Sequence, residues 1–209
     1  MAISRGKTAS IVRGKPKPLR LGLYGGTFDP VHHGHLLGAR DALEQFRLDA
    51  VVWIPCARSP HKTATAAPGA ERLALLRRAV KGQPDFWVSS IELRRKGPSY
   101  AVDTAAAFAQ ALPGSELFWL IGADQLPALA TWERYAQLRK LVTFIVLDRP
   151  GCPPVAGRRL PAGVISLPRP RRIDISATEI RRRVKQNLPI DSLAPASVAA
   201  HIARRGLYR

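Results

Sequence analysis

Apolar runs of strand length, amphipathic stretches between them, and glycines closing the first and fourth runs predict an α/β protein. The expected architecture is a doubly wound parallel sheet with helices on both faces and a small helical part at the C-terminus. The 209 residues suit one domain with a sizeable core.

Residues 1–18 hold Arg5, Lys7, Arg13, Lys15 and Lys17 without an acid. They read as a basic, disordered arm ahead of a domain over 19–209. Residues 19–24 form a short buried strand ending at Gly25-Gly26. Leu36, Ala39, Leu43 and Phe46 recur at helical spacing, which predicts a helix over 34–47. Residues 50–54 are a second strand, stopped by Pro55, and a Pro-containing loop leads to a helix over 70–81. A third strand covers 86–90. Ser99 is placed to cap a helix over 100–111. The fourth strand, 116–121, ends at Gly122-Ala123-Asp124, and a helix through 132–139 leads to a fifth strand over 142–147. After a Pro-rich loop comes a last strand over 163–167. Helices over 177–186 and 197–205 close the chain, the second stopped by Gly206.

Composition narrows the function classes. The chain is 46% hydrophobic and 23% charged, ordinary for a globular protein. No apolar run approaches the roughly 20 residues a membrane helix needs, so no membrane role is expected. The N-terminal stretch has no apolar core of a secretory signal, and an organelle transit peptide is the alternative reading. Two cysteines, Cys56 and Cys152, cannot build a disulfide framework or a four-cysteine zinc site, and they point to the cytoplasm. The net charge of +18 suits a polyanion, either nucleic acid or a substrate with several phosphates, or else an arginine-rich solvated surface.

The densest chemistry lies in GGTFDPVHHGHL, residues 25–36. In an open parallel sheet, ligands bind where strands end and helices begin. Gly25 and Gly26 allow close approach of backbone to a ligand. The helix start at Gly34 and His35 attracts anions, and His32 and His35 can point into one space. The stretch is neither a Walker A loop nor GxGxxG. The competing reading, a metal site of His32, His33 and His35 with His61, lacks a cysteine to complete a closed tetrahedral set. A second helix start, Ser176-Ala177-Thr178-Glu179, has capping-box spacing, and Arg181 lies one turn on, which suits another anion site. The plainer reading is a simple cap with solvated arginines.

GGTFDPVHHGHL resembles the T/HxGH signature of the nucleotidylyltransferase superfamily, shared with cytidylyltransferases and phosphopantetheine adenylyltransferase. HxGH also occurs in the much longer class I aminoacyl-tRNA synthetases. In order along the chain follow SPHK (59–62), RRKGPSYAVDT (94–104), LIGADQL (120–126), Trp132, DRPG (148–151), DISATEIRRR (174–183) and GLY (206–208). Together these resemble the bacterial nicotinate-nucleotide adenylyltransferase family over about residues 20–208. Ala101 stands where that family often has threonine, and Ala177 where it often has a second serine; both keep their backbone N–H groups.

The resemblance implies a Rossmann-like fold and transfer of AMP from ATP to nicotinate mononucleotide, with Mg²⁺ held mainly by substrate phosphates and no protein metal site. It implies His32, His35 and Arg181 as catalytic. It implies ATP contacts from Gly25, Gly26, Thr27, Phe28, Gly122, Ala123, Asp124, Ile175, Ser176 and Thr178 as well. For the mononucleotide it implies Thr27, Lys62, Ser99, Tyr100, Ala101, Thr104, Asp124 and Trp132. The alternatives are nicotinamide mononucleotide or phosphopantetheine as acceptor, or a basic nucleic-acid-binding protein that keeps the fold. Intact His32, His35 and Arg181 disfavour the last. Oligomeric state is left open.

Overall fold

The computed structural model of the chain describes residues 18–58, 65–148, 151–155, 159–171 and 173–209. Residues 1–17 of the expected basic arm over 1–18, and Lys62, lie outside these. Six parallel strands form one sheet in the order β3-β2-β1-β4-β5-β6: β1 Arg20–Gly26, β2 Ala50–Pro55, β3 Phe86–Val88, β4 Glu116–Gly122, β5 Thr143–Leu147 and β6 Val164–Ser166. Six α-helices join them: α1 His33–Gln45, α2 Gly69–Ala79, α3 Ala101–Ala111, α4 Tyr135–Leu141, α5 Ala177–Lys185 and α6 Ala196–Arg205. The expected doubly wound α/β architecture is the one observed.

The strands alternate as a sheet buried on both faces requires. Val51, Trp53, Phe118, Leu120, Ile145 and Leu147 pack with Ala39 and Ala42 of α1, Leu75 and Leu76 of α2, Ile180 of α5 and Ile202 of α6. Their neighbours Val52, Ile54, Leu117, Trp119, Phe144 and Val146 pack on the opposite face with Val102 and Phe108 of α3 and Leu138 of α4. The C-terminal helices are therefore one side of the domain core. Strand order reverses between β1 and β4, where Leu23 pairs with Trp119, and the carboxyl ends there open a crevice.

Two local expectations change. The helix expected through 132–139 begins only at Tyr135; a 3₁₀ run, Ala123–Thr131, precedes it with Pro127 inside. Arg134, at φ 50°, breaks the chain direction between them. Ser99 does not cap α3. Tyr100 is the cap residue, with extended backbone, and the Ser99 hydroxyl accepts from the Ala57 N–H at 3.0 Å. Among the described residues no helix is long and apolar enough to cross a membrane.

Helices α2 and α6 are tied by a polar cluster. Glu71 Oε2 lies 2.7 Å from His201 Nε2, and Glu71 Oε1 accepts from Arg205 at 2.8 Å. The His201 bond first, then Arg205, hold the Glu71 carboxyl below its ordinary value. A depressed carboxylate contributes stability that is complete above its unfolded value, about 4.3, and is lost as pH falls through the folded one. In thermal melts of the parent and Glu71→Gln, the gap in Tm should be widest near neutrality and should shrink as the pH is taken below about 4. A gap that stays constant would detach Glu71 from the acid sensitivity.

Candidate active site

The carboxyl ends of β1 and β4 floor a cavity of about 590 Å³. It collects remote segments. Gly25, Gly26, Thr27 and Phe28 come from the end of β1, His32 and His35 from the start of α1, and Arg181 from α5. Ser99, Tyr100 and Ala101 come from the start of α3, with Gly122, Asp124 and Trp132 from the segment after β4. A second cavity of about 160 Å³ shares His32, His35 and Gly122 as wall and adds Ile175 and Ser176.

The two glycines are required by close packing. A Cβ on Gly25 would lie 2.8 Å from the buried Trp119 ring, and one on Gly26 would lie 2.9 Å from the Phe28 ring. Gly25→Ala must displace a tryptophan that is 3% exposed. Overpacking of this kind costs about 1–3 kcal/mol, which a denaturation midpoint would register. An unchanged midpoint would mean that Trp119 yields freely.

Phe28 adopts φ 50°, the left-handed region, which is unusual for an aromatic residue. Its ring packs edge-on against Tyr24 at 5.3 Å and His35 at 5.2 Å. The rings of His32 and His35 lie 3.7 Å apart, and His35 Nδ1 accepts from the His32 N–H at 3.3 Å. In a neutral His35 that bond assigns the proton to Nε2, which makes Nε2–H a donor.

Ser176 caps α5 by accepting from the Glu179 N–H at 3.1 Å. Only half of the capping box forms, because the Glu179 carboxylate turns to Arg182. Thr178 is exposed and accepts from Arg181 Nη2 at 3.1 Å; Arg181 Nη1 donates to the Asp29 carbonyl at 2.7 Å. The guanidinium is thus fixed at two points while it lines the cavity.

Three expected contacts fall off the wall. Thr104 is wholly buried, donating to Glu92 at 2.7 Å and accepting from Arg95 at 3.0 Å, so it lies beneath the wall. Ala123 is buried, and Thr178 lines neither cavity and meets the site through Arg181.

Sequence reasoning missed four residues. Arg72, 1% exposed, donates to the carbonyls of Ala67, Thr27 and Cys56 at 3.2, 2.8 and 2.8 Å. A signal existed: Arg72 shares the buried helical stripe of Leu75, Leu76 and Ala79, where a charge is anomalous. The Asp29 carboxylate, also buried, accepts from the N–H groups of Ala66 and Ala67 and from the Tyr208 hydroxyl. Glu92 lines the cavity, and burial raises its carboxyl above the ordinary value, partly offset by the Thr104 hydrogen bond. Nothing in the local sequence marks Glu92. Among the described residues, no three His, Cys, Asp or Glu side chains form a metal-ligand group.

Residues 23–183 match the profile of the cytidylyltransferase-like family. A probable nicotinate-nucleotide adenylyltransferase of Methylacidiphilum infernorum is 42% identical over 93% of this chain and 94% of its own. One from Opitutus terrae is 44% identical over 91% and 98%. Among solved structures, Plasmodium falciparum nicotinic acid mononucleotide adenylyltransferase complexed with NaAD superposes with a TM-score of 0.68 at 15% identity, covering 91% of this chain and 98% of that one, a likeness of fold.

Proposed function

The chain belongs to the cytidylyltransferase-like family, and we propose that it transfers AMP from ATP to nicotinate mononucleotide, releasing pyrophosphate and deamido-NAD. One observation carries this reading. A single cavity joins His32, His35 and Arg181 on one side to the open start of α3 and Trp132 on the other. That arrangement offers a phosphate region beside an aromatic, N–H-rich end.

An oxygen of the mononucleotide phosphate attacks the α-phosphorus of ATP, the bond to the bridging oxygen breaks, and pyrophosphate leaves. Such chemistry needs alignment and charge stabilisation more than a covalent nucleophile. His35 Nε2–H and His32 face the reacting phosphates, and Arg181 with the start of α5, Ser176 and Thr178 holds the leaving group. Thr27, Gly25 and Gly26 bring backbone up to the phosphates, and Ile175 and Gly122 serve the adenosine side. Asp124 takes a ribose, Trp132 packs on the pyridine, and Tyr100 and Ala101 present N–H groups to its substituent.

Mg²⁺ supplies charge neutralisation on the phosphates when bound. The donor set suits an ion held mainly by those phosphates: the phosphate wall is His32, His35 and Arg181, and the Asp29 carboxylate is taken up by Ala66, Ala67 and Tyr208. Residence in the cytoplasm belongs to the same proposal, supported by Cys56 and Cys152, which form no disulfide. The test is ATP-dependent pyrophosphate release with nicotinate mononucleotide, nicotinamide mononucleotide and phosphopantetheine offered in parallel. Nicotinate mononucleotide should give the highest kcat/KM. Release with phosphopantetheine alone, or with none of the three, would overturn the assignment.

A further inference from the structure

Tyr208 stands one residue from the end of the sequence, yet it is 8% exposed and reaches the signature loop. Its hydroxyl donates to Asp29 Oδ1 at 2.8 Å. Asp29 is itself 5% exposed, and its carboxylate also accepts from the N–H groups of Ala66 at 2.6 Å and Ala67 at 3.1 Å. The same residue offers its main-chain carbonyl to Arg181 Nη1 at 2.7 Å. A tyrosine 179 positions away therefore shares one anchor with the guanidinium assigned to the ATP phosphates. Burial first, and then the neighbouring Asp29, push the Tyr208 hydroxyl well above its ordinary value, so it stays a donor across the working range.

The chain reaches Asp29 by a defined route. Helix α6 ends at Gly206 in the left-handed conformation, where the Gly206 and Leu207 N–H groups close on Ala203 and Ile202. Tyr208, also at positive φ, turns back into the core beside α2. An arginine fork binds phosphate well only when its plane is held, because each unfixed torsion weakens the paired hydrogen bonds. The fork of Arg181 rests on the Thr178 hydroxyl and the Asp29 carbonyl, and the orientation of Asp29 rests on Tyr208 together with the Ala66 and Ala67 N–H groups.

We infer that Tyr208 is a positioning residue for ATP: through Asp29 it holds the Arg181 guanidinium in its phosphate-binding pose. This rests on the assignment of Arg181 to ATP, but it does not depend on which acceptor the enzyme uses.

The experiment is a double-mutant cycle on the full chain, reading the Kd of Mg·ATP by calorimetry with no acceptor present. Tyr208→Phe removes one oxygen and should weaken Mg·ATP about fivefold to tenfold. On the Arg181→Ala background the same change should be nearly silent, because the group it positions is gone. The KM for the mononucleotide, read in the pyrophosphate assay, should move less than about twofold, and this split separates positioning from general loosening. An equal loss of ATP affinity on both backgrounds, or none on either, overturns the inference, whatever happens to Tm. If Tyr208→Phe does not fold, Asp29→Asn is read in the same cycle, with the same outcomes deciding. A parent that binds Mg·ATP and shows the coupling, yet transfers nothing to nicotinate mononucleotide, overturns the functional reading and leaves the positioning role standing. A parent with no affinity for Mg·ATP overturns both.

Discussion

His35→Ala should lower turnover by about 10²–10³ while leaving the fold in place. The imidazole lies at the start of α1, its Nδ1 occupied by the His32 N–H, so Nε2–H is the edge offered to the cavity. A donor aimed at charge that grows on the phosphate oxygens in the transition state contributes there and little in the ground state. The loss should therefore fall on kcat, with the KM for ATP changed only a few-fold. Stability should drop modestly, because the ring is half-buried and its neighbours Phe28 and His32 can close part of the gap. Steady-state pyrophosphate release beside a thermal melt reads both quantities. Turnover within a few-fold of the parent in a folded variant would remove His35 from the chemistry.

Nicotinate mononucleotide should be preferred over its amide by roughly 10- to 150-fold in kcat/KM, from the value of one hydrogen bond to a charged group. The start of α3 supplies the reason. Tyr100 is the cap residue, no side chain caps the helix, and the first-turn N–H groups lack intrahelical partners. Tyr100 and Ala101 line the cavity, and Trp132 lines it with them. A carboxylate can accept from N–H groups with both oxygens and gains from the helix dipole. A carboxamide brings one acceptor and sets its NH₂ against another donor. The acid on this side, Glu92, is hydrogen-bonded by Thr104 and has the Arg95 charge beside it, so it opposes a bound carboxylate weakly. Equal kcat/KM values for the two mononucleotides, or a preference for the amide, would defeat the acid assignment.

The sheet was legible because β2 and β4 are short continuous apolar runs closed by Pro55 and Gly122, as strands buried on both faces require. The signature loop was legible because glycines and histidines are crowded into a strand–helix junction. What escaped was set by tertiary contact. Ser99 has a capping side chain but stands one residue before the cap, which is Tyr100, and the N–H of Ala57, forty-two residues away, takes its hydroxyl. The expected start of α4 at 132–134 is a turn instead, with Arg134 left-handed, and nothing local forces an arginine to positive φ. Thr104 lies on the stripe of α3 that faces inward with Val102, Ala105 and Phe108, so helical periodicity could have withdrawn it from the ligand. Tyr208 acts across the fold and only its burial reveals it, whereas the apolar stripe of α2 already marked Arg72.

The groups assigned to the two substrates belong to different layers of the domain. Those assigned to the ATP phosphates sit on α1 and α5, which pack with the face of Trp53 and Leu120. Those assigned to the pyridine sit at α3 and Trp132, which pack with the face of Trp119 and Phe144. The cavity passes over the sheet edge between them. Joining the substrates therefore does more than make a bond: it turns two half-ligands, each resting on its own layer, into one strut across both. Arg181 and the start of α5, assigned to the leaving group, stay with the pyrophosphate, so the dinucleotide rests on α1 in one layer and on α3 with Trp132 in the other.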